Sequence, residues 1–180
     1  MTVRITKPEF NLREKLTELD YSRVPYEKMP ASSIIQTKYY QTDTQATSNN
    51  ASSYVSIGLY VNITPLIVGS TLEVSACIPN YSNDPGSGTW SNSLYIALYH
   101  TSPDNQTERR IAVFEHPGPK TSMEFSQILN PVYYMTANYA GEYLFNWRVK
   151  LTTTGDTHYF SRSVDSMATT MNTVVREIIQ

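Results

Sequence analysis

The sequence predicts a mainly β protein: an antiparallel β-sandwich of jelly-roll type, preceded by one short N-terminal helix. Three observations carry that expectation. Apolar and polar residues alternate with period two along much of the chain after residue 33, as strands with one buried face require. Clusters of Pro, Gly, Asn and Ser interrupt the alternation roughly every ten to fifteen residues, a spacing that suits a sandwich and not βαβ units. Charged residues make up 17% of the chain, while tyrosine supplies 14 side chains against 5 phenylalanines. A helical bundle needs a charged exterior; tyrosine suits half-buried strand positions with its hydroxyl at the rim.

The first segment differs from the rest. Arg4, Lys7, Arg13, Lys15 and Arg23 interleave with Glu9, Glu14, Glu18 and Asp20. Asn11 and Glu14 have the spacing of a capping box. Leu12, Leu16 and Leu19 fall at i, i+4 and i+7, one face of a helix of about ten residues. A helix that short is marginal alone in water, so its apolar stripe, together with Phe10, calls for a cover. Residues 1–24 read as an anchor segment and residues 25–33, with Pro25 and Pro30, as a linker. Residues 34–180 read as the sandwich.

Within that body the strands follow in order. In residues 54–63, Val55, Ile57, Leu59, Val61 and Ile63 alternate with polar or small residues until Pro65. Leu72, Val74, Ala76 and Ile78 mark the inward face of a strand over 71–78, which Pro79 is expected to close. Leu94, Ile96 and Leu98 mark another over 92–100. Over 107–115, Ile111 and Val113 are expected to share a face. A weaker strand covers 121–127, and residues 128–140 are partly strand. Tyr143, Phe145, Trp147, Val149 and Leu151 alternate with Leu144, Asn146, Arg148 and Lys150, and a turn at 152–156 predicts a hairpin into 157–163. Val174, Val175, Ile178 and Ile179 make the last segment apolar enough to be locked into a sheet.

Chemistry is sparse. His100, His116 and His158 are scattered near predicted strand ends, with no His-x-His and no Cys-x-x-Cys, so no metal and no cofactor is expected. No phosphate-cradling glycine loop and no Gly-x-Ser-x-Gly elbow is present. Glu115 and His116 are adjacent on a strand and point to opposite faces. No catalytic residue is therefore predicted, and the chain is read as no enzyme. The net charge of −2 argues against nucleic acid as a partner. No apolar run is long enough to insert into a membrane, and the start lacks the apolar core of a signal peptide. The lone Cys77 forms no intrachain disulfide. Asn-x-Ser/Thr sequons at Asn50, Asn62, Asn80 and Asn105 read as a by-product of composition.

The turn-rich stretch 80–91 offers a candidate ligand-binding surface. It holds Tyr81 and Trp90, and Tyr95 and Tyr99 follow on the next strand. Aromatic side chains on the loops of a rigid scaffold suit sugars or protein partners. The plainer reading is that Trp90 covers the end of the sandwich.

Several stretches carry a family resemblance. They are Thr2-Val3-Arg4-Ile5-Thr6-Lys7-Pro8-Glu9-Phe10-Asn11-Leu12-Arg13-Glu14-Lys15-Leu16, then Met29-Pro30-Ala31-Ser32-Ser33-Ile34-Ile35-Gln36 with Thr42-Asp43-Thr44, and Val61-Asn62-Ile63-Thr64-Pro65. The closing Asn172-Thr173-Val174-Val175-Arg176-Glu177-Ile178-Ile179 belongs with them. Together they resemble virion structural and tail-fibre-like proteins of marine bacteriophages, including cyanophages, and their β-rich terminal domain. The resemblance covers both ends and little of the middle. It implies a non-enzymatic virion protein, assembled in the host cytoplasm, that docks through Phe10, Leu12, Leu16 and Leu19 to other tail or capsid proteins. It also implies a homo-oligomer, a trimer, displaying the β-domain. The relatives carry long spacers before that domain, and here the linker is short. A capsid decoration or head-fibre protein, and a carbohydrate-binding module that adsorbs to a host surface glycan, are the alternatives.

Overall fold

The computed structural model describes residues 29–49, 51–83, 93–117, 125–152, 157–161, 163–164 and 167–180. Phe10, Leu12, Leu16 and Leu19, with the whole 1–24 segment and its expected helix, lie outside the described residues, as does Trp90. The 25–33 linker is described only from Met29 onward.

The strands are β1 (Ile34–Thr42), β2 (Ala46–Ser48), β3 (Val55–Ile63), β4 (Thr71–Asn83), β5 (Leu94–Ser102), β6 (Asn105–His116) and β7 (Phe125–Leu129). They continue with β8 (Val132–Thr136), β9 (Tyr143–Leu151), β10 (Thr157–Phe160), β11 (Ser163–Val164), β12 (Met167–Ala168) and β13 (Met171–Ile178). One sheet has the order β3-β9-β5-β6. The other is built around β4. The first half of β4 lies between β13 and β8, and its second half lies between β10 and β7. β1 borders β13, and β2 borders β10. Each flank of β4 is thus a row made of two strands end to end. The β11–β12 pair is a small hairpin inserted between β10 and β13.

Joining β1 with β2, β7 with β8 and β10 with β13 leaves eight rows in chain order. One sheet then holds rows 1-8-3-6 and the other rows 2-7-4-5. That interleaving of two antiparallel sheets is the jelly-roll arrangement. Among the described residues the protein is therefore mainly β, as the periodicity predicts.

Side chains expected to point inward do so. Ile57, Leu59, Val61 and Ile63 of β3, Leu72, Val74, Ala76 and Ile78 of β4, and Leu94, Ile96 and Leu98 of β5 are all buried. Tyr143, Phe145, Trp147, Val149 and Leu151 of β9 are buried as well. Burial of each large aliphatic or aromatic side chain contributes about 1.5–3 kcal/mol before ordering costs. β3 carries two extra residues, Ile57 and Gly58, between the pairs Ser56–Arg148 and Leu59–Trp147. Gly58 sits there at φ +74, a conformation a β-carbon would oppose, and its N–H meets Ser56 Oγ at 3.3 Å.

Three sequence expectations are corrected. Pro79 does not close β4, which runs on to Asn83. The β13 pairing has ended at Cys77 and the β10 pairing begins at Asn80, so one flank of β4 is unoccupied at residue 79. Ala76 sends its N–H to Pro131 O on the β8 side, and strand periodicity turns the N–H position of residue 79 toward the vacant flank. Second, β9 and β10 do not form a hairpin. β9 pairs with β3 and β5, while β10 pairs with β4 and β2 in the opposite sheet. Third, Ile111 and Val113 do not share a face. Leu98 pairs with Ala112 but Tyr99 with Arg110, so Ile111 is an extra residue that resets the register. Ala112 and Phe114 turn inward, Phe114 lies 6.2 Å from Trp147, and Val113 is exposed.

Several polar groups inside find partners far along the chain. Trp147 on β9 donates its indole N–H to Thr173 Oγ1 on β13, across the interior, at 3.0 Å. Thr173 passes its own hydroxyl proton to Ser75 O at 2.9 Å. Glu177, fully buried at the other end of β13, accepts the Leu66 and Ile67 N–H groups and the Ser70 hydroxyl, each at 2.8 Å. That carboxylate fixes the connection between β3 and β4. Thr173→Val keeps the side-chain shape but strands the indole N–H, and it is expected to lower unfolding stability by about 1–3 kcal/mol. Denaturant unfolding checks this: the midpoint falls while the slope stays constant.

Candidate ligand-binding face

The outward residues of β3-β9-β5-β6 form the most chemically distinctive surface. Strand register sets them in rows. Lys150 lies beside Tyr95, which lies beside Glu115. Arg148 lies beside Ala97, with Ser56 on its other side. Asn146 lies beside Tyr99, which lies beside Arg110. Tyr54, immediately before β3, reaches Tyr99 edge-on with ring centres 6.1 Å apart. The fully buried Ala97 lies between these rows.

Cations gather on those rings. The Arg148 guanidinium carbon stands 4.6 Å from the Tyr99 ring centre. Around Tyr54, the Arg110 guanidinium carbon is at 5.1 Å and Lys150 Nζ at 6.0 Å. Cation–ring attraction of this kind is worth about 0.5–1 kcal/mol at exposed sites. Glu108 is occupied by Arg148 and by Asn146 Nδ2, the latter at 3.0 Å. Glu115 accepts from the Tyr95 hydroxyl at 3.5 Å, and its charge raises the Tyr95 pKa.

The predicted ligand surface is divided by the fold. Tyr95 and Tyr99 are on this face. Tyr81 is on β4 in the opposite sheet, 6.1 Å from the Tyr159 ring, where Pro79, Ser126 and Ile128 join them around a groove of ≈ 600 Å³. The sequence reading missed Tyr54, Arg110 and Tyr159 as surface partners. Arg148 and Lys150 do show in the sequence as the outward positions of the β9 alternation.

His100 and His158 are interior residues, and His116 is half-buried at the end of β6. His100 accepts the Arg109 Nε–H through Nε2 at 2.9 Å, and His158 Nδ1 lies 3.1 Å from Asn80 Oδ1. His100 and His158 are both almost fully buried. Burial lowers all three pKa values, with Arg109 adding to the effect at His100. Among the described residues, no group of three or more His, Cys, Asp or Glu could hold a metal ion.

Strand order thus defines a jelly-roll β-sandwich with one cationic, tyrosine-rich face. No protein-family model matches the chain, and no curated protein matches it by sequence. Among solved structures it is similar to Eiger TNF from S. frugiperda, at 10% identity and TM-score 0.43, over 82% of this chain and 94% of that one. It is also similar to tailspike protein 4 of bacteriophage CBA120, at 10% identity and TM-score 0.29, over 69% of this chain and 18% of that one. Infectious bursal disease virus, Gx strain, gives 12% identity and TM-score 0.26, over 82% of this chain and 42% of that one. The chain therefore spans nearly all of the first of these and less than half of the other two.

Acid is expected to weaken the fold. His158 has its pKa lowered from 6.5 to about 4. Above pH 6.5 it is neutral folded or unfolded, and stability is complete. As pH falls from there toward about 4, the unfolded chain binds the proton first, and roughly 3 kcal/mol is lost. Unfolding midpoints measured at pH 7 and pH 4.5 should diverge, and His158→Gln should shrink the difference.

Proposed function

We propose that this chain is a non-enzymatic structural protein of a bacteriophage virion, a tail-fibre-like or knob-like appendage that docks through residues 1–24. The observation that carries the reading is that all eight rows of the jelly roll form from residue 34 onward. In this proposal the N-terminal segment, with Phe10, Leu12, Leu16 and Leu19, is the part that grips another virion protein. Ser32 donates its N–H to Ile179 O at 2.8 Å, and Ile179 donates back to Ser33 O at 3.0 Å. Residues 32 and 33 are therefore held at one corner of the sandwich, beside the end of β13. Jelly rolls recur in viral capsid and lectin domains, and the phage particle is the setting this proposal gives to such a domain.

The working form in this proposal is a homotrimer. Tyr39, Val132 and Tyr134 on the outer face of the β1-β13-β4-β8 sheet are 56%, 43% and 57% exposed, and they offer apolar area to a neighbouring copy. Sedimentation should give three chains; a monomer at micromolar concentration would reject the trimer.

Deletion of residues 1–24 tests the docking reading. The shortened chain should remain folded and soluble, with an unchanged unfolding midpoint, and should be missing from assembled particles. Normal incorporation, or loss of the fold, would overturn it.

A further inference from the structure

The outer face of β3-β9-β5-β6 carries Arg110, Arg148 and Lys150 against the carboxylates of Glu108 and Glu115, so it keeps a small positive excess. Arg110 and Lys150 both approach the Tyr54 ring, and neither forms an ion pair among the described residues. Arg148 spends one terminal nitrogen on Glu108, but its Nε is buried with no hydrogen-bond partner. The chain as a whole has a net charge of −2, so this concentration of positive charge runs against its composition.

We infer that this face binds an acidic polysaccharide, one whose sugar rings carry carboxylates. The charge calls for an anion, and guanidinium groups favour planar carboxylates. The tyrosines call for a ring: an aromatic surface packs against the apolar C–H face of a sugar while its hydroxyl remains in water. An acidic peptide fits less well. The site spans the sheet face from Tyr54, before β3, to Arg110 on β6, and a peptide offers that face no saturated ring to lay on the tyrosines. This inference goes beyond the virion reading and does not depend on it, since it concerns only the exposed chemistry of one sheet.

The test is calorimetric titration of the full chain with three polymers of equal length at low salt: polygalacturonate, neutral dextran and polyglutamate. Polygalacturonate should bind, and the double variant Arg110→Gln/Lys150→Gln should weaken it roughly tenfold or more. Tyr54→Ala should weaken it as well. Lys38→Gln, on the opposite sheet, should leave it unchanged. Unfolding midpoints of Arg110→Gln/Lys150→Gln should match wild type, because Arg110 is exposed and Lys150 only half-buried. Dextran binding as tight as polygalacturonate would overturn the inference, because charge would then be irrelevant. Polyglutamate binding as tight would overturn it in favour of an acidic protein partner. So would polygalacturonate binding that survives the double substitution, or no binding at about 1 mM. None of these results bears on whether the chain is found in particles, so failure here and failure of the virion reading are separable.

Discussion

A polar group stranded between two closing sheets costs stability. The Trp147–Thr173–Ser75 relay answers that constraint at the centre of the sandwich. The indole is large enough to fill the space between β9 and β13, but its N–H must find an acceptor. Thr173 supplies one from the facing sheet and is itself satisfied by a backbone carbonyl. The relay therefore fixes how β9 sits over β13, and with it the register of every neighbour paired to those two strands.

Outside that interior the two outer faces diverge. Around β4 the outward residues are small, hydroxylic or neutral aromatic, relieved by the Glu73–Arg176 pair. Around β9 they are Arg, Lys, Glu and Tyr. The same backbone architecture thus presents one outer surface with little charge and one rich in it. The difference comes from outward positions alone, which leave the inner packing untouched.

The inward face was legible because strand periodicity records it residue by residue. Ile57 to Ile63 and Tyr143 to Leu151 needed no three-dimensional information. Three features escaped because they depend on partners far along the chain. Pro79 is tolerated within β4 only because β13 stops and β10 starts beside it. Ile111 is an extra residue only relative to Leu98 and Tyr99. The destination of β10 follows from pairing with β4 and β2, not from the turn that precedes it. The candidate site was half legible for the same reason. Tyr95 and Tyr99 stand out locally, but Tyr54 and Arg110 join them by register. Tyr81, near them in sequence, folds onto the other sheet.

Row order also has a temporal side. β13 is the last strand of the chain, yet it lies between β1 and β4, with Thr42 facing Met171 and Ile34 facing Ile178. Such distant partners make loop closure costly and folding slow. During translation β1 waits with an open edge until residues 171–178 emerge from the ribosome, and open strand edges invite pairing with the wrong chain. Nascent polypeptides crowded on one messenger are therefore exposed to misassembly until residues 171–178 emerge. A chain that stops before Met171 keeps β10 but lacks β13, the strand that joins β1 to β4.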